Sequence, residues 1–187
     1  MNMDLYETLK TVAPGTGLRA GLDNIINART GALIVVGNTK EVLDIVHGGF
    51  YINCEYNPSY IYELAKMDGA IIISNDCKKI LYANAQLLPC QHINSKETGT
   101  RHKTAERVAK QTSMLVIAIS KRRQVITLYK SNYKYILRDI NEILNKVNQG
   151  IQTLEKYKNA LDQSMNNLTI LEFENYVTLY DITKTIQ

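Results

Sequence analysis

Long apolar runs are missing from this chain: nothing in it approaches the ~20 consecutive apolar residues that a membrane-spanning helix requires, which argues against a membrane protein. Basic residues are missing from the first nine positions, where acids stand instead of the positive charge of a secretory leader. The expected location is therefore cytoplasmic. Cysteine is scarce, and Cys54, Cys77 and Cys90 are odd in number and too widely spaced for a CxxC metal knuckle. Reduced thiols in a reducing compartment are the simplest account. Histidine is equally sparse. His47, beside Gly48-Gly49, and His92, after Pro89-Cys90, have no partner at metal-ligand spacing and read as loop residues. Only His102 stands among other chemically useful side chains.

What is present is enough for a core and a concentrated charge. At 187 residues, 45% hydrophobic and 21% charged, the chain has the makeup of a soluble domain plus an appendage. The formal net charge is only +4, yet residues 101–123 hold seven Arg or Lys against the single acid Glu106. That segment carries +6 and the remainder −2, the clustering that a nucleotide phosphate or a polyanion requires. Lys121-Arg122-Arg123 is also compatible with a solvated hairpin turn.

The segment opens on Gly99-Thr100-Arg101-His102-Lys103-Thr104-Ala105-Glu106-Arg107, a small-residue turn leading into a helix. The first turn of a helix leaves backbone N–H groups without intrahelical partners and carries the positive end of the helix dipole. Cationic side chains and hydroxyls placed there converge with those donors on an anion. The same pattern also suits an ordinary capped surface helix. In either case Ala105, Val108, Ala109 and Thr112 form an inward stripe at helical spacing, and Glu106 and Lys110 fall four apart on the outer face.

Along the chain, helices are expected at 4–13, from about 17 to 28, and at 39–46, 58–66 and 102–112. Pro14-Gly15-Thr16-Gly17 separates the first two. Strands are expected at 32–36, 70–73, 80–85, 114–119 and 125–129, the last two joined as a hairpin across Ser120 to Gln124. Wholly apolar, β-branched runs such as Ala32-Leu33-Ile34-Val35-Val36 suit strands covered on both faces. The interleaving predicts an α/β (α+β) fold, with a mixed central sheet flanked by helices over residues 1–130. Beyond Ser131 no strand-like run is evident. Apolar residues recur at Ile136, Ile140, Ile143, Val147, Ile151, Leu154, Leu161, Met165 and Leu168, which predicts a helical C-terminal extension over 131–187. Gly150 is a candidate bend, and the spacing fits a coiled-coil seam or a spacer packed on a partner.

A second chemical element is Asp68-Gly69-Ala70, which places a carboxylate at the entry to a strand beside a glycine that permits close backbone approach. Such a position suits a metal or a ligand hydroxyl, although an Asp-Gly pair also makes an ordinary turn. Taken together, Asp68-Gly69-Ala70 and Arg101-His102-Lys103 resemble the paired Asp-Gly-Ala and Arg-His-Arg signature of diadenylate cyclases. Pro14-Gly15-Thr16, Leu18 to Asp23, Ala28 to Leu33 and Gln152 to Tyr157 extend the resemblance along essentially the whole chain. One departure stands out: position 103 is Lys where the pattern has Arg.

The resemblance implies an enzyme that condenses two ATP into cyclic di-AMP and two pyrophosphates. It implies Asp68 as a ligand of Mg²⁺ or Mn²⁺, and Asp68, Arg101 and His102 as the catalytic set. Thr100, Arg101, His102, Lys103 and Thr104, opening at Gly99, would bind the triphosphate. Gly69 would let the ribose or base come close, Ala70 would belong to the same ATP-binding set, and Leu87 would lie against adenine. Ser120 and Arg123 are further phosphate candidates. It also implies self-association, as a dimer of facing sites and an octamer in the complete protein. DNA would be engaged only through a C-terminal helix-hairpin-helix domain that has no counterpart in this sequence. Two rival classes predict different chemistry. A sensing module would bind nucleotide or cyclic dinucleotide without turnover, and a nucleic-acid-binding scaffold would show salt-sensitive DNA binding by this chain.

Overall fold

A computed structural model describes residues 3–137 and 140–186 and divides the chain into two compact units, Met1–Leu137 and Arg138–Gln187. The first unit opens with α1 (Met3–Thr11) and α2 (Gly17–Asn27), followed by β1 (Ala32–Val36), α3 (Lys40–Leu43), β2 (Val46–His47) and β3 (Phe50–Glu55). Then come α4 (Pro58–Leu64), β4 (Ala70–Ile73), β5 (Lys79–Leu87), α5 (Thr100–Thr112), β6 (Leu115–Ser120), β7 (Val125–Lys130) and β8 (Tyr133–Leu137). Thr16 caps α2 by accepting from the Arg19 amide, and Asn57 caps α4 by accepting from the Ser59 amide, ahead of Pro58 at its first turn.

The strands form one eight-stranded mixed sheet in the order β2-β5-β4-β1-β6-β7-β8, with β3 also paired to β5. Among the described residues only the β1–β4 pairing is parallel; β1–β6, β2–β5, β3–β5, β4–β5, β6–β7 and β7–β8 are antiparallel. Because side chains alternate across a strand, the apolar runs divide between the two faces. Ala32, Ile34 and Val36 of β1, with Ile71 and Ile73 of β4 and Ile117 of β6, join Leu18, Leu22 and Ile25 of α2 and Ile61 of α4. Leu33 and Val35 of β1, with Ile72 and Val116, meet Val42 and the α5 stripe Ala105, Val108 and Ala109 on the other face. A sheet covered by helices on both faces explains why β1 and β4 are buried at every position.

Three expectations need correction. Residues 133–137 are a strand, β8, paired with β7, not the beginning of a helix. Its side chains are mostly exposed, so an edge position removes the apolar run that would have marked it. The segment expected to be helical over 39–46 holds only the short α3, after which Val46–His47 pairs with Leu87 and Gln86 of β5. Finally, β3 is an additional strand whose exposed Phe50 and Tyr51 gave no alternating signal.

The second unit contains α6 (Ile140–Phe173) and α7 (Leu179–Ile186). The 34-residue α6 runs through Gly150 without interruption. Ile143, Val147, Ile151, Leu154, Leu161 and Met165 are exposed along it, while the side chain of Ile140 lies outside those described. Among the described residues no helix is long and apolar enough to cross a membrane.

Candidate active site

The chemistry-bearing residues gather at one end of the sheet, where Asp68 and Gly69 lead into β4, Leu87 closes β5 and α5 begins after Gly99. A cavity of about 470 Å³ lies there, lined by Leu33, Asp68, Gly69, Ala70, Asn84, Ala85, Gln86, Leu87, Thr100, Arg101 and Thr104. Asp68, Gly69, Ala70, Leu87, Thr100, Arg101 and Thr104 of the sequence-derived set are therefore brought together. Leu33, Ala70, Ala85 and Leu87 give the cavity an apolar wall, while Asp68, Thr100, Arg101 and Thr104 give it charge and hydroxyls. An apolar lining with a few convergent polar groups is the usual makeup of a small-molecule site.

Local sequence explains how the polar groups are held. Gly69 donates its backbone N–H to Asn84 Oδ1 at 3.1 Å, and a Cβ on Gly69 would stand 2.3 Å from the Asn84 carbonyl carbon. Asn84 itself has φ +53°, a conformation that asparagine tolerates better than most residues, at an irregularity in the β4–β5 register. Arg101 is seated over Gly31, where an added Cβ would lie 2.6 Å from its Nη1. On α5, Gly99 occupies the N-cap without a side-chain acceptor, so the first-turn amides are not capped from within the helix.

His102, Ser120 and Arg123 fall elsewhere, in a separate cavity of about 130 Å³ with Glu97, Val125, Thr127, Tyr129, Lys134 and Ile136. His102 Nδ1 is 3.1 Å from the Tyr129 hydroxyl, and Lys134 Nζ is ion-paired with Glu97 Oε1. Burial is the main influence lowering the His102 pKa below its ordinary value; Glu97 opposes it, and Lys134, Arg101 and Arg123 reinforce it. Lys103 is exposed and lines neither cavity.

Part of the concentrated positive charge is structural. Lys110 Nζ contacts Glu106 Oε1 at 2.7 Å and donates to the Asn94 carbonyl at 2.8 Å. Arg107 Nε donates to the Ile93 carbonyl at 2.9 Å. Glu106 Oε2 accepts from Ser95 Oγ at 2.6 Å and from the Lys96 amide at 3.0 Å. These bonds tie the segment before α5 onto its outer face, so Arg107 and Lys110 are committed to the loop.

Residue-by-residue reading of the sequence missed Asn84, Gln86, Gly31, Glu97, Tyr129 and Lys134. An asparagine inside the run Ala83-Asn84-Ala85 was the available signal for the first. Tyr129 and Lys134 reach the site only through the pairing of β7 with β8.

Comparison with known proteins gives the family. The family model described as DisA bacterial checkpoint controller nucleotide-binding matches residues 19–133. The chain belongs to the DisA family. The linker-region model of the DisA checkpoint controller matches residues 137–187. A DNA integrity scanning protein DisA from Clostridium perfringens is 60% identical over 184 residues, covering 98% of this chain and 52% of that protein. One from Carboxydothermus hydrogenoformans is 62% identical over 179 residues, covering 96% and 51%. The chain thus spans about half the length of the curated DisA relatives it matches. Among solved structures, a double mutant of DacA from Staphylococcus aureus matches with a TM-score of 0.53 at 21% identity, covering 78% of this chain and 95% of that one. A hypothetical membrane spanning protein from Bacillus cereus matches with a TM-score of 0.58 at 19% identity, over 66% of this chain and 62% of that one. At these identities the two structures share the fold with the DisA-family domain.

Proposed function

We propose that this chain is a diadenylate cyclase, condensing two ATP into cyclic di-AMP with release of two pyrophosphates. The observation that carries the reading is the juxtaposition of Asp68-Gly69-Ala70 with Thr100, Arg101 and Thr104 around one cavity of about 470 Å³ that also has an apolar wall. Adenine would lie against Leu87 and the neighbouring apolar side chains. Gly69, whose missing Cβ makes room for the Asn84 backbone, lines the cavity, where the ribose would approach it. Thr100, Arg101 and Thr104 would hold phosphate oxygens with the uncapped amides after Gly99, and exposed Lys103 would add a point charge at the rim.

In the reaction the 3′-oxygen of one nucleotide forms a bond to the α-phosphorus of the other, and the bond from that phosphorus to the pyrophosphate oxygen breaks. The demands on the protein are alignment and neutralisation of charge. Arg101 meets the second demand, and its seat over Gly31 fixes where the guanidinium stands. Among the described residues, Asp68 is the only carboxylate lining this cavity. No group of three or more His, Cys, Asp or Glu suited to a metal ion occurs among the described residues. That donor set fits Mg²⁺ or Mn²⁺ arriving with the nucleotide, since such ions are commonly held by one or two carboxylates together with substrate phosphates. When bound at Asp68, the ion would acidify the attacking hydroxyl and offset phosphate charge. Ser120 and Arg123, with His102, line the smaller cavity and would meet the distal phosphates or the second nucleotide.

A product with two-fold symmetry needs two nucleotides presented to each other, so two protomers would face one another with one ATP in each site. The test combines turnover with mass in solution. ATP turnover should be lost in Asp68→Asn and Arg101→Ala, and the active species should be a dimer or larger. Full turnover by either variant would remove the role assigned to that residue, and full turnover by a monomer would remove the facing sites. Nucleotide binding without pyrophosphate release would favour a sensing module, a reading that leaves an acid beside the phosphates without a purpose.

A further inference from the structure

The loop that leads into α5 is fastened in two different ways. Residues 90–96 are tied to α5 itself. The Cys90 amide donates to Gln111 Oε1 at 2.8 Å, Arg107 donates to the Gln91 and Ile93 carbonyls, Lys110 donates to the Asn94 carbonyl, and Glu106 accepts from Ser95 and Lys96. Bonds of this kind make loop and helix one piece but leave the place of that piece on the sheet undecided. Glu97, the next residue, bonds across to the sheet instead: its carboxylate is ion-paired with Lys134 Nζ on β8.

Strand register explains how an edge strand supplies that ammonium. Lys134 stands directly opposite Tyr129 in the β7–β8 ladder, and opposed residues of an antiparallel pair share a face. Tyr129 belongs to the apolar cluster that contains Ala105 and Val108 of α5, so Lys134 is delivered to the helix-covered face. One rung of the sheet therefore holds both sides of Gly99, the N-cap of α5. Lys134 takes Glu97, two residues before the cap, and the Tyr129 hydroxyl lies 3.1 Å from Nδ1 of His102, three residues after it. The Glu97 side chain is 18% exposed, so solvent screens the pair only in part. Burial pushes the Glu97 carboxyl up, but the Lys134 bond leads the influences that outweigh burial, and the folded value lies below 4.5.

We propose that Glu97 and Lys134 are a positioning pair that sets the first turn of α5 against the sheet, and through it places Thr100 and Arg101 at the larger cavity. Arg101 follows the cap by two residues and is seated over Gly31, so a tilt of the first turn carries the guanidinium off that seat. Neither member of the pair touches nucleotide in this scheme. The effect on turnover rests on the cyclase reading, whereas the effect on the helix rests on the ion pair alone.

Two amides separate a loosened first turn from a loosened helix. Lys103 N–H donates to the Gly99 carbonyl at 2.8 Å at the start of α5, and Ser113 N–H donates to the Ala109 carbonyl at 2.9 Å at its far end. Hydrogen exchange is followed at both in the whole chain without nucleotide. Glu97→Gln and Lys134→Met should each speed exchange at Lys103 about threefold and leave Ser113 unchanged. Lys134→Arg keeps the charge and should keep the slow rate. The double variant Glu97→Gln/Lys134→Met should be no faster than either single, because both substitutions remove the same bond. With ATP, kcat should fall about threefold to fivefold in both singles while KM changes less than about twofold. Unchanged exchange at Lys103 in both singles, additive effects in the double variant, or equal acceleration at Lys103 and Ser113 overturns the proposal. A KM raised in Lys134→Met and lowered in Glu97→Gln also overturns it, and would make Lys134 a phosphate ligand. The predicted exchange without any cyclic product would sink the cyclase reading and leave the pair's hold on α5 intact.

Discussion

The Gly69 amide donates to Asn84 Oδ1 at 3.1 Å, joining the entry of β4 to a residue of β5 with φ +53°. This contact sets the backbone next to Asp68, and a Cβ at Gly69 would stand 2.5 Å from Asn84 Cα. Gly69→Ala should retain the circular dichroism of the parent and lose turnover by about 100-fold, the effect of moving a reacting group by about 1 Å. Asn84→Gly accommodates the positive φ but deletes the hydrogen bond, and should cost about fivefold, or ~1 kcal/mol. Equal turnover of Gly69→Ala and wild type would show that the close approach has no part in the chemistry.

Lys103 supplies a compact charge where the signature it resembles has a planar fork. Lys103→Arg, at an exposed position, should leave the melting temperature unchanged. If the rim charge meets a phosphate, KM for ATP should fall about twofold to fivefold, with a reduced sensitivity to salt. An unchanged KM at every ionic strength would place residue 103 outside the nucleotide's reach.

Glu106 should make the loop before α5 sensitive to acid. Burial raises its pKa, but the bonds from Lys110, Ser95 and the Lys96 amide outweigh burial, and the folded value lies below 4.5. A lowered folded value means that its contribution is present above pH 4.5 and is lost as pH falls through the folded pKa. Hydrogen exchange at Lys96 should accelerate in that acid range in the wild type and already be fast at pH 7 in Glu106→Ala. Protection of Lys96 that does not change in Glu106→Ala would contradict the anchoring role.

Ile34 is completely buried at the centre of β1, between β4 and β6. Ile34→Ala should destabilise the first unit by about 2–5 kcal/mol, read from urea or thermal unfolding, because the site is enclosed on every side. A loss below ~1 kcal/mol would mean that the sheet centre relaxes around the cavity.

The legible parts of this fold are those in which burial leaves a periodic mark. β1 and β4 are apolar at every position, and β6 at every position before Ser120, because helices cover both sheet faces, and α5 shows its inward stripe of Ala105, Val108, Ala109 and Thr112. β3 and β8 escaped notice because most of their side chains face solvent at the sheet margins, where apolar content is not required. The site follows the same division. Asp68 and the basic turn are local patterns, each meaningful within a few residues. Asn84, Glu97, Tyr129 and Lys134 acquire meaning only from strand pairing and loop closure across long separations, which no short pattern encodes. For the same reason the basic turn looked like one site. Its successive side chains Arg101 and His102 line different cavities, since neighbours on a helix lie about 100° apart around its axis.

The cyclase reading itself is tested most directly by identifying the products of the purified chain with ATP and Mn²⁺ or Mg²⁺. The expected result is cyclic di-AMP and pyrophosphate in a ratio of one to two, with neither formed by Asp68→Asn. A chain whose melting temperature rises with ATP while no pyrophosphate appears would contradict it.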